Sequence, residues 1–239
     1  MAFGAPHRHF ARTDSTNTRA RELAEAGAPR GTVVTAGEQS EGRGRQGRSW
    51  TAPPGKALLY SAVLRPLDER HMLLPLAVPL AVCEAAEKLQ PGVGCAIKWP
   101  NDVWLEGRKL GGILIEARPQ DGWAVIGAGI NLSVETDEFP PELRETAVSL
   151  GGGIEREEAR RAVDAALGRW VEEDEDAILA EWRGRDALRG REIGWQSGGS
   201  DEGDRTGVAD GGDERGNLLV VTAGGDRVAL GAGEVHLRL

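Results

Sequence analysis

A chain of 239 residues with 40% hydrophobic content has enough material for one catalytic domain and a small appendage. Its formal charge of −9 excludes a protein that grips DNA or RNA by bulk electrostatics. Cys83 and Cys95 have no metal-ligand spacing, the start MAFGAPHRHF has no apolar signal core, and Met72–Val82 is too short to span a bilayer, so a cytoplasmic protein is expected.

In chain order, Asp14, Ser15, Thr16 and Asn17 offer N-caps for a short helix that carries Ala20, Leu23 and Ala24 and stops at Gly27. Thr32–Ala36 is β-branched and strand-like, and Ala57–Leu64 reads as a buried strand. Leu73–Leu89 reads as a helix with prolines in or near its first turns. Cys95–Trp99, Val103–Leu105, Leu110–Ala117 and Trp123–Leu132 are short apolar runs, with Glu106-Gly107-Arg108 as a hairpin tip. These strands leave no room for helices between them, which favours a mixed or antiparallel sheet within an α+β fold. Glu155–Arg185 reads as one long helical stretch that buries Val163, Leu167, Trp170, Val171, Ile178 and Trp182. Ser197–Asp204 is a glycine- and acid-rich loop. Strand candidates at Gly207–Ala209, Asn217–Thr222, Arg227–Leu230 and Glu234–Leu239 suit a small C-terminal β-barrel. The expected division is a catalytic domain over 1–186 and a barrel over 187–239.

GRGRQG (Gly42–Gly47) matches the dinucleotide-binding fingerprint in letters, but a turn and a strand follow where that fingerprint needs a helix. The loop instead sets Arg43, Arg45 and Arg48 on a backbone freed by Gly42 and Gly44. Guanidinium groups bind carboxylate and phosphate in bidentate fashion, so the loop could close over an acyl phosphate; a solvated basic turn is the plainer alternative. Because glycines are costly to order and the arginines repel one another, an anion is expected to order the loop.

Lysine is scarce, at positions 56, 88, 98 and 109 only. KWPNDVW places Lys98 and Asp102 around a proline turn, where Asp102 could meet a magnesium ion or the ligand and Lys98 could neutralise phosphate. Turn capping is the alternative for the Asn101-Asp102 pair. KLGGILIE sets Lys109 beside Gly111 and Gly112, and GAGINL runs through a glycine pair to Asn131. Glycine inside a strand marks a bulge or a close approach to the backbone, and a lysine beside that gap suits charge developing on an α-phosphate.

Taken in order, Ser15-Thr16-Asn17, Gln39, GRGRQGRSW, KWPNDVW, KLGGILIE and GAGINL resemble the biotin–protein ligases. The resemblance covers residues 14–132, with a looser match of 207–239 to the family's SH3-like barrel. It implies the biotin/lipoate ligase catalytic fold and a two-step reaction that uses ATP and magnesium to make biotinyl-AMP. Biotin then passes to a lysine of a biotin carboxyl carrier protein. By the same resemblance, Ser15, Thr16, Asn17 and Gln39 meet the ureido ring of biotin. Arg43, Gly44 and Arg45 close over biotin and the adenylate, Lys109 meets the carboxylate and reacting phosphate, and Gly112 and Asn131 line the adenylate site. Lys109, Arg45 and Asp102 are the expected catalytic residues. Gly111 stands where an alanine is common. Only about a dozen residues precede Ser15, which leaves no room for the DNA-binding helix-turn-helix of some relatives, and no DNA binding is expected. A homodimer is left open. The alternatives are a lipoate–protein ligase and a non-catalytic biotin- or nucleotide-binding regulator.

Overall fold

The computed structural model describes residues 2–195, 205–231 and 235–237. His7–Phe10 (β1), Val33–Ala36 (β2), Ala57–Leu64 (β3), Cys95–Lys98 (β4), Asp102–Leu105 (β5), Arg108–Arg118 (β6) and Trp123–Asn131 (β7) form one sheet. The strand order is β1-β2-β3-β7-β6-β5-β4. β1 pairs parallel to β2, and the other neighbours are antiparallel, so the sheet is mixed as the strand spacing implied. The tight β5–β6 connection has Glu106 and Gly107 at φ 52° and 76°, the two left-handed positions of a type I′ hairpin turn.

The two faces of the sheet bury different partners because side chains alternate along each strand. Leu58, Tyr60, Ala62 and Leu64 of β3 join Ala124, Ile126, Ala128 and Ile130 of β7 in the main core. Leu74–Leu89 (α2), apolar nearly all round, and Arg156–Trp170 (α3) cover that face. On the opposite face Thr16–Glu25 (α1) packs Ala20 and Ala24 against Val34, Val63 and Val125, the small alanines letting the helix lie close.

The expected single helix over Glu155–Arg185 is two helices, α3 and Glu175–Gly184 (α4). The physical reason is charge. One continuous helix would carry Glu172–Asp176 mid-length, whereas the break sets Glu175 and Asp176 in the first turn of α4, where the helix dipole favours acids. The six residues expected on the buried face of this stretch are all buried.

Glu192–Trp195 (β8), Arg205–Gly212 (β9), Leu218–Thr222 (β10), Arg227–Leu230 (β11) and Val235–Leu237 (β12) form a second, antiparallel sheet ordered β11-β10-β9-β8-β12, consistent with a small SH3-like barrel. Its Ile193, Trp195, Leu218 and Val220 join the same core as α2 and α4. Trp182 lies against Gly212, and Trp99 Nε1 donates to Gly216 O at 3.1 Å, tying the turn between β4 and β5 to this sheet. The segment Ser197–Asp204, expected as an acidic loop, lies outside the described residues. Among those described, no helix is long and apolar enough to cross a membrane.

Candidate functional site

A cavity of about 260 Å³ opens on the α1 face of the large sheet. Its floor is β6 and β7, and the floor is bare where those strands carry glycine. A Cβ at Gly127 would collide with Asn17 Oδ1, one at Gly129 with the Trp50 ring, and one at Gly112 would sit 3.2 Å from Trp50 and 3.4 Å from Lys109 Nζ. These glycines therefore make room for side chains that reach in from α1 and from the glycine/arginine loop. At roughly 3.4 Å per residue, the floor from Gly127 to Asn131 runs about 14 Å.

One end of that floor is a network of hydroxyls and amides. Thr16 N–H and Oγ–H both donate to Gln39 Oε1, at 2.7 and 3.0 Å, so a residue from another loop caps α1. Ser15 is the N-cap by backbone but makes no side-chain cap bond, and it lines the cavity instead. Ser61 Oγ donates to Asn17 Oδ1 at 2.6 Å and lies 2.8 Å from Thr16 Oγ1. Asn17 Nδ2 in turn donates to Glu116 Oε2 at 2.9 Å and to Leu114 O at 3.3 Å. Behind the network, the Arg19 guanidinium holds the Asp14 carboxyl well below the usual carboxylate range.

The other end is charged. Lys109 Nζ sits 2.7 Å from Asp102 Oδ1 and 5.8 Å from the centre of the Trp50 ring. The pair meets across β5 and β6, where a register shift between Val103 and Trp104 brings them together. Lys109 N–H donates to Thr146 O and Asn131 Nδ2 to Val148 O, so the segment after β7 walls this end, with Phe139, Leu143 and Ala147 as its apolar contribution.

The glycine/arginine loop roofs the cavity as a tight hairpin. Gly44 N–H donates to Arg48 O at 2.7 Å and Trp50 N–H to Gly42 O at 2.9 Å. A Cβ at Gly42 would strike Trp50 O, so only glycine lets the two arms cross this closely. Arg43, Arg45 and Arg48 line the cavity with Lys109, against a single lining carboxylate among the described residues, Asp102. Burial draws the Arg45 guanidinium below its ordinary value; Arg48 adds to this, and Asp102 opposes it. The balance is that of an anion site.

Of the residues singled out from sequence, Ser15, Thr16, Asn17, Gln39, Arg43, Gly44, Arg45, Arg48, Asp102, Lys109, Gly112 and Asn131 line this one cavity. Gly42 and Lys98 do not. Gly42 forms the neck of the hairpin. Lys98 pairs in register with Asp102 from β4 and lies 5.4 Å from the Trp104 ring; burial lowers its pKa. Asn101, for which turn capping was the alternative, donates from Nδ2 to Ile113 O on β6 at 2.9 Å. Sequence reasoning missed Ser61, Trp50 and Glu116. Ser61 had a signal, since a lone hydroxyl in the apolar run ALLYSAVL must find a partner once buried. Trp50 ends the quoted GRGRQGRSW motif, and its indole N–H is buried with no partner among the described residues.

Gly127→Ala tests the fit at the polar end. The added methyl should displace Asn17 and lower stability by about 1–3 kcal/mol, the usual cost of overpacking, read from the denaturant midpoint. An unchanged midpoint would show that Asn17 has room to retreat.

Residues 9–131 match the model of the biotin/lipoate A/B protein ligase family, about half of the chain. The chain is 36% identical over 174 residues to the biotin–[acetyl-CoA-carboxylase] ligase of Paracoccus denitrificans, covering 67% of this chain and 71% of that one. It is 40% identical over 142 residues to the bifunctional ligase/repressor BirA of Bacillus spizizenii, where the match takes in 57% of this chain but only 43% of the relative. Among solved structures, the Aquifex aeolicus biotin protein ligase in complex with biotin and ATP superposes with a TM-score of 0.83 at 29% identity, covering 98% of this chain and 99% of that one. The mixed sheet, its glycine floor and the motifs ranged along it thus have a shared origin: the chain belongs to the biotin/lipoate A/B protein ligase family.

Proposed function

We propose that this chain is an ATP-dependent biotin–protein ligase. The observation that carries the reading is the polarity of the floor, with a hydrogen-bonding end at Asn17, an indole at mid-length and a cationic end at Lys109. Biotin has the matching order of ureido ring, apolar chain and carboxylate. Ser15, Thr16, Asn17 and Gln39 would take the ring, Trp50 and Gly129 would flank the chain, and Lys109 would meet the carboxylate.

The chemistry follows from those positions. A biotin carboxylate oxygen attacks the α-phosphorus of ATP, a new P–O bond forms, and the bond to the β-phosphate oxygen breaks as pyrophosphate leaves. Lys109 and Arg45 would offset charge on the α-phosphate, and Gly112 and Asn131 would line the place of the adenylate. Magnesium is held by one or two carboxylates together with phosphate oxygens, and Asp102 at the charged end fits that demand. When bound, the ion would neutralise polyphosphate charge. The roof loop would keep water from the mixed anhydride. The amine of an acceptor lysine then attacks the acyl carbon, loses a proton and displaces AMP. The acceptor we infer is a carrier domain of a biotin-dependent carboxylase, and the compartment the cytoplasm. Residues 1–186 would do the chemistry, with 187–239 as a β-domain packed on them.

A lipoate ligase would run the same steps. The Thr16–Gln39–Asn17–Ser61 network argues for biotin, because lipoate's dithiolane offers no match for it. A site built to hydrogen-bond its ligand rejects analogues that lack those groups by about 10⁴-fold. ATP–pyrophosphate exchange with the purified chain should therefore depend on biotin and not respond to lipoate. Equal rates with lipoate would reassign the substrate, and binding without exchange would make the protein a non-catalytic regulator.

A further inference from the structure

Glu116, on β6, touches two parts of the cavity at once. Its Oε2 accepts from Asn17 Nδ2 at 2.9 Å, and its Oε1 lies 3.1 Å from Arg43 Nη1 in the roof loop. We propose that Glu116 is a positioning residue with two separable duties: it orients the Asn17 amide toward the ligand, and it tethers the glycine/arginine loop over the floor. The first duty rests on the biotin reading given above.

The orientation argument is one of donors and acceptors. A side-chain amide can sit either way round, and its neighbours decide. Glu116 Oε2 and Leu114 O are both acceptors, so they demand the NH₂ group on their side. Oδ1 is then turned toward Ser61 and the space above Gly127. Without the carboxylate, only Leu114 O at 3.3 Å is left to fix which way round the amide sits, since the Ser61 hydroxyl on its other side can donate or accept.

The tether argument is one of reach. The hairpin's own hydrogen bonds close the loop on itself, Gly44 to Arg48 and Trp50 to Gly42, and do not fasten its outer arm to the sheet. Arg43 to Glu116 does. The side chains are 42% and 23% exposed, so the contact is weak enough to open for ligand entry. An anion in the cavity would compete with Glu116 for Arg43, which links loop position to occupancy.

Glu116→Gln and Glu116→Ala separate the duties. Glutamine keeps an amide oxygen that can accept from Asn17 but loses the charge that holds Arg43; alanine loses both. In the free full-length protein, hydrogen exchange of the amides of residues 42–50 should rise about fivefold in both variants, the upper range for an exposed ion pair. Arg43→Ala should do the same, and adding it to Glu116→Gln should give no further rise. Biotin affinity, measured by calorimetry, should hold in Glu116→Gln and fall about tenfold or more in Glu116→Ala. Unchanged loop exchange in Glu116→Gln would overturn the tether, and equal loss of biotin affinity in the two variants would overturn the amide role. A wild-type chain that bound no biotin would sink the substrate reading and the amide role with it, while loop exchange would still decide the tether.

Discussion

Lys109→Ala should slow biotin-dependent pyrophosphate exchange by about 10²–10³-fold, the cost of removing one preorganised charge from a developing anion. The fall should appear in kcat more than in KM if Lys109 acts chiefly in the transition state. The structure adds a complication that the experiment can use. Lys109 Nζ is 2.7 Å from Asp102 Oδ1, so its removal also strands a carboxylate at the end proposed for the phosphates. Part of the loss would then be repulsion by Asp102. Because Asp102 is also the residue proposed to hold magnesium, adding Asp102→Asn to Lys109→Ala should recover that part only at saturating magnesium and should lower exchange further when magnesium is scarce. Wild-type exchange in Lys109→Ala would remove the residue from the chemistry.

Arg45→Gly should leave the chain able to form an adenylate, more slowly because Lys109 alone then offsets charge on the α-phosphate, and poor at keeping it. Arg45 lies in the short 3-10 turn Arg45–Gly47 at the tip of the roof, lines the cavity and is half-buried. Burial lowers its pKa, with Asp102 opposing, which is the state of a cation that gains from an incoming anion. A charge-assisted hydrogen bond is worth about 1.5–3 kcal/mol, so release of biotinyl-AMP should quicken about 10- to 150-fold. Free adenylate in the supernatant and unselective labelling of nearby lysines are the readouts. A variant that holds its intermediate as tightly as the parent would exclude Arg45 from retention.

What could be read from the sequence was whatever rests on local pattern. Ala57–Leu64 stands out because a proline-glycine turn precedes an apolar run interrupted only by Ser61, and the Glu106-Gly107 turn announces itself by residue type. β1 was missed because HRHF is an edge strand that faces solvent, with little apolar signature to show. The break between α3 and α4 was missed because both helices keep their buried faces across it, and the dipole argument needs the ends to be known first. The site divides the same way. Lys109, the arginine loop and Asn131 lie in compact motifs. Glu116 ends the KLGGILIE motif and Ser61 sits in an apolar run, but both matter through partners 99 and 45 positions away, which no local pattern reveals. The Phe139–Ala147 wall has no periodicity at all.

Consider last how thin the cavity floor is. A single layer of peptide separates the ligand space above Gly127, Gly129 and Gly112 from the packed helices behind. Tyr60, on the hidden side, donates to Asp164 Oδ1 of α3 at 2.8 Å, and Ala128 and Ile113 fill the core beside it. A floor this slender inherits every displacement of what lies behind it. Interiors are close-packed and pass strain along rather than absorb it. Selection for substrate fit therefore reaches residues that never meet the substrate. The α2–α3 layer is less a scaffold with spare freedom than the mould in which the pocket is cast, and drift there would be felt first as altered specificity and only later as lost stability.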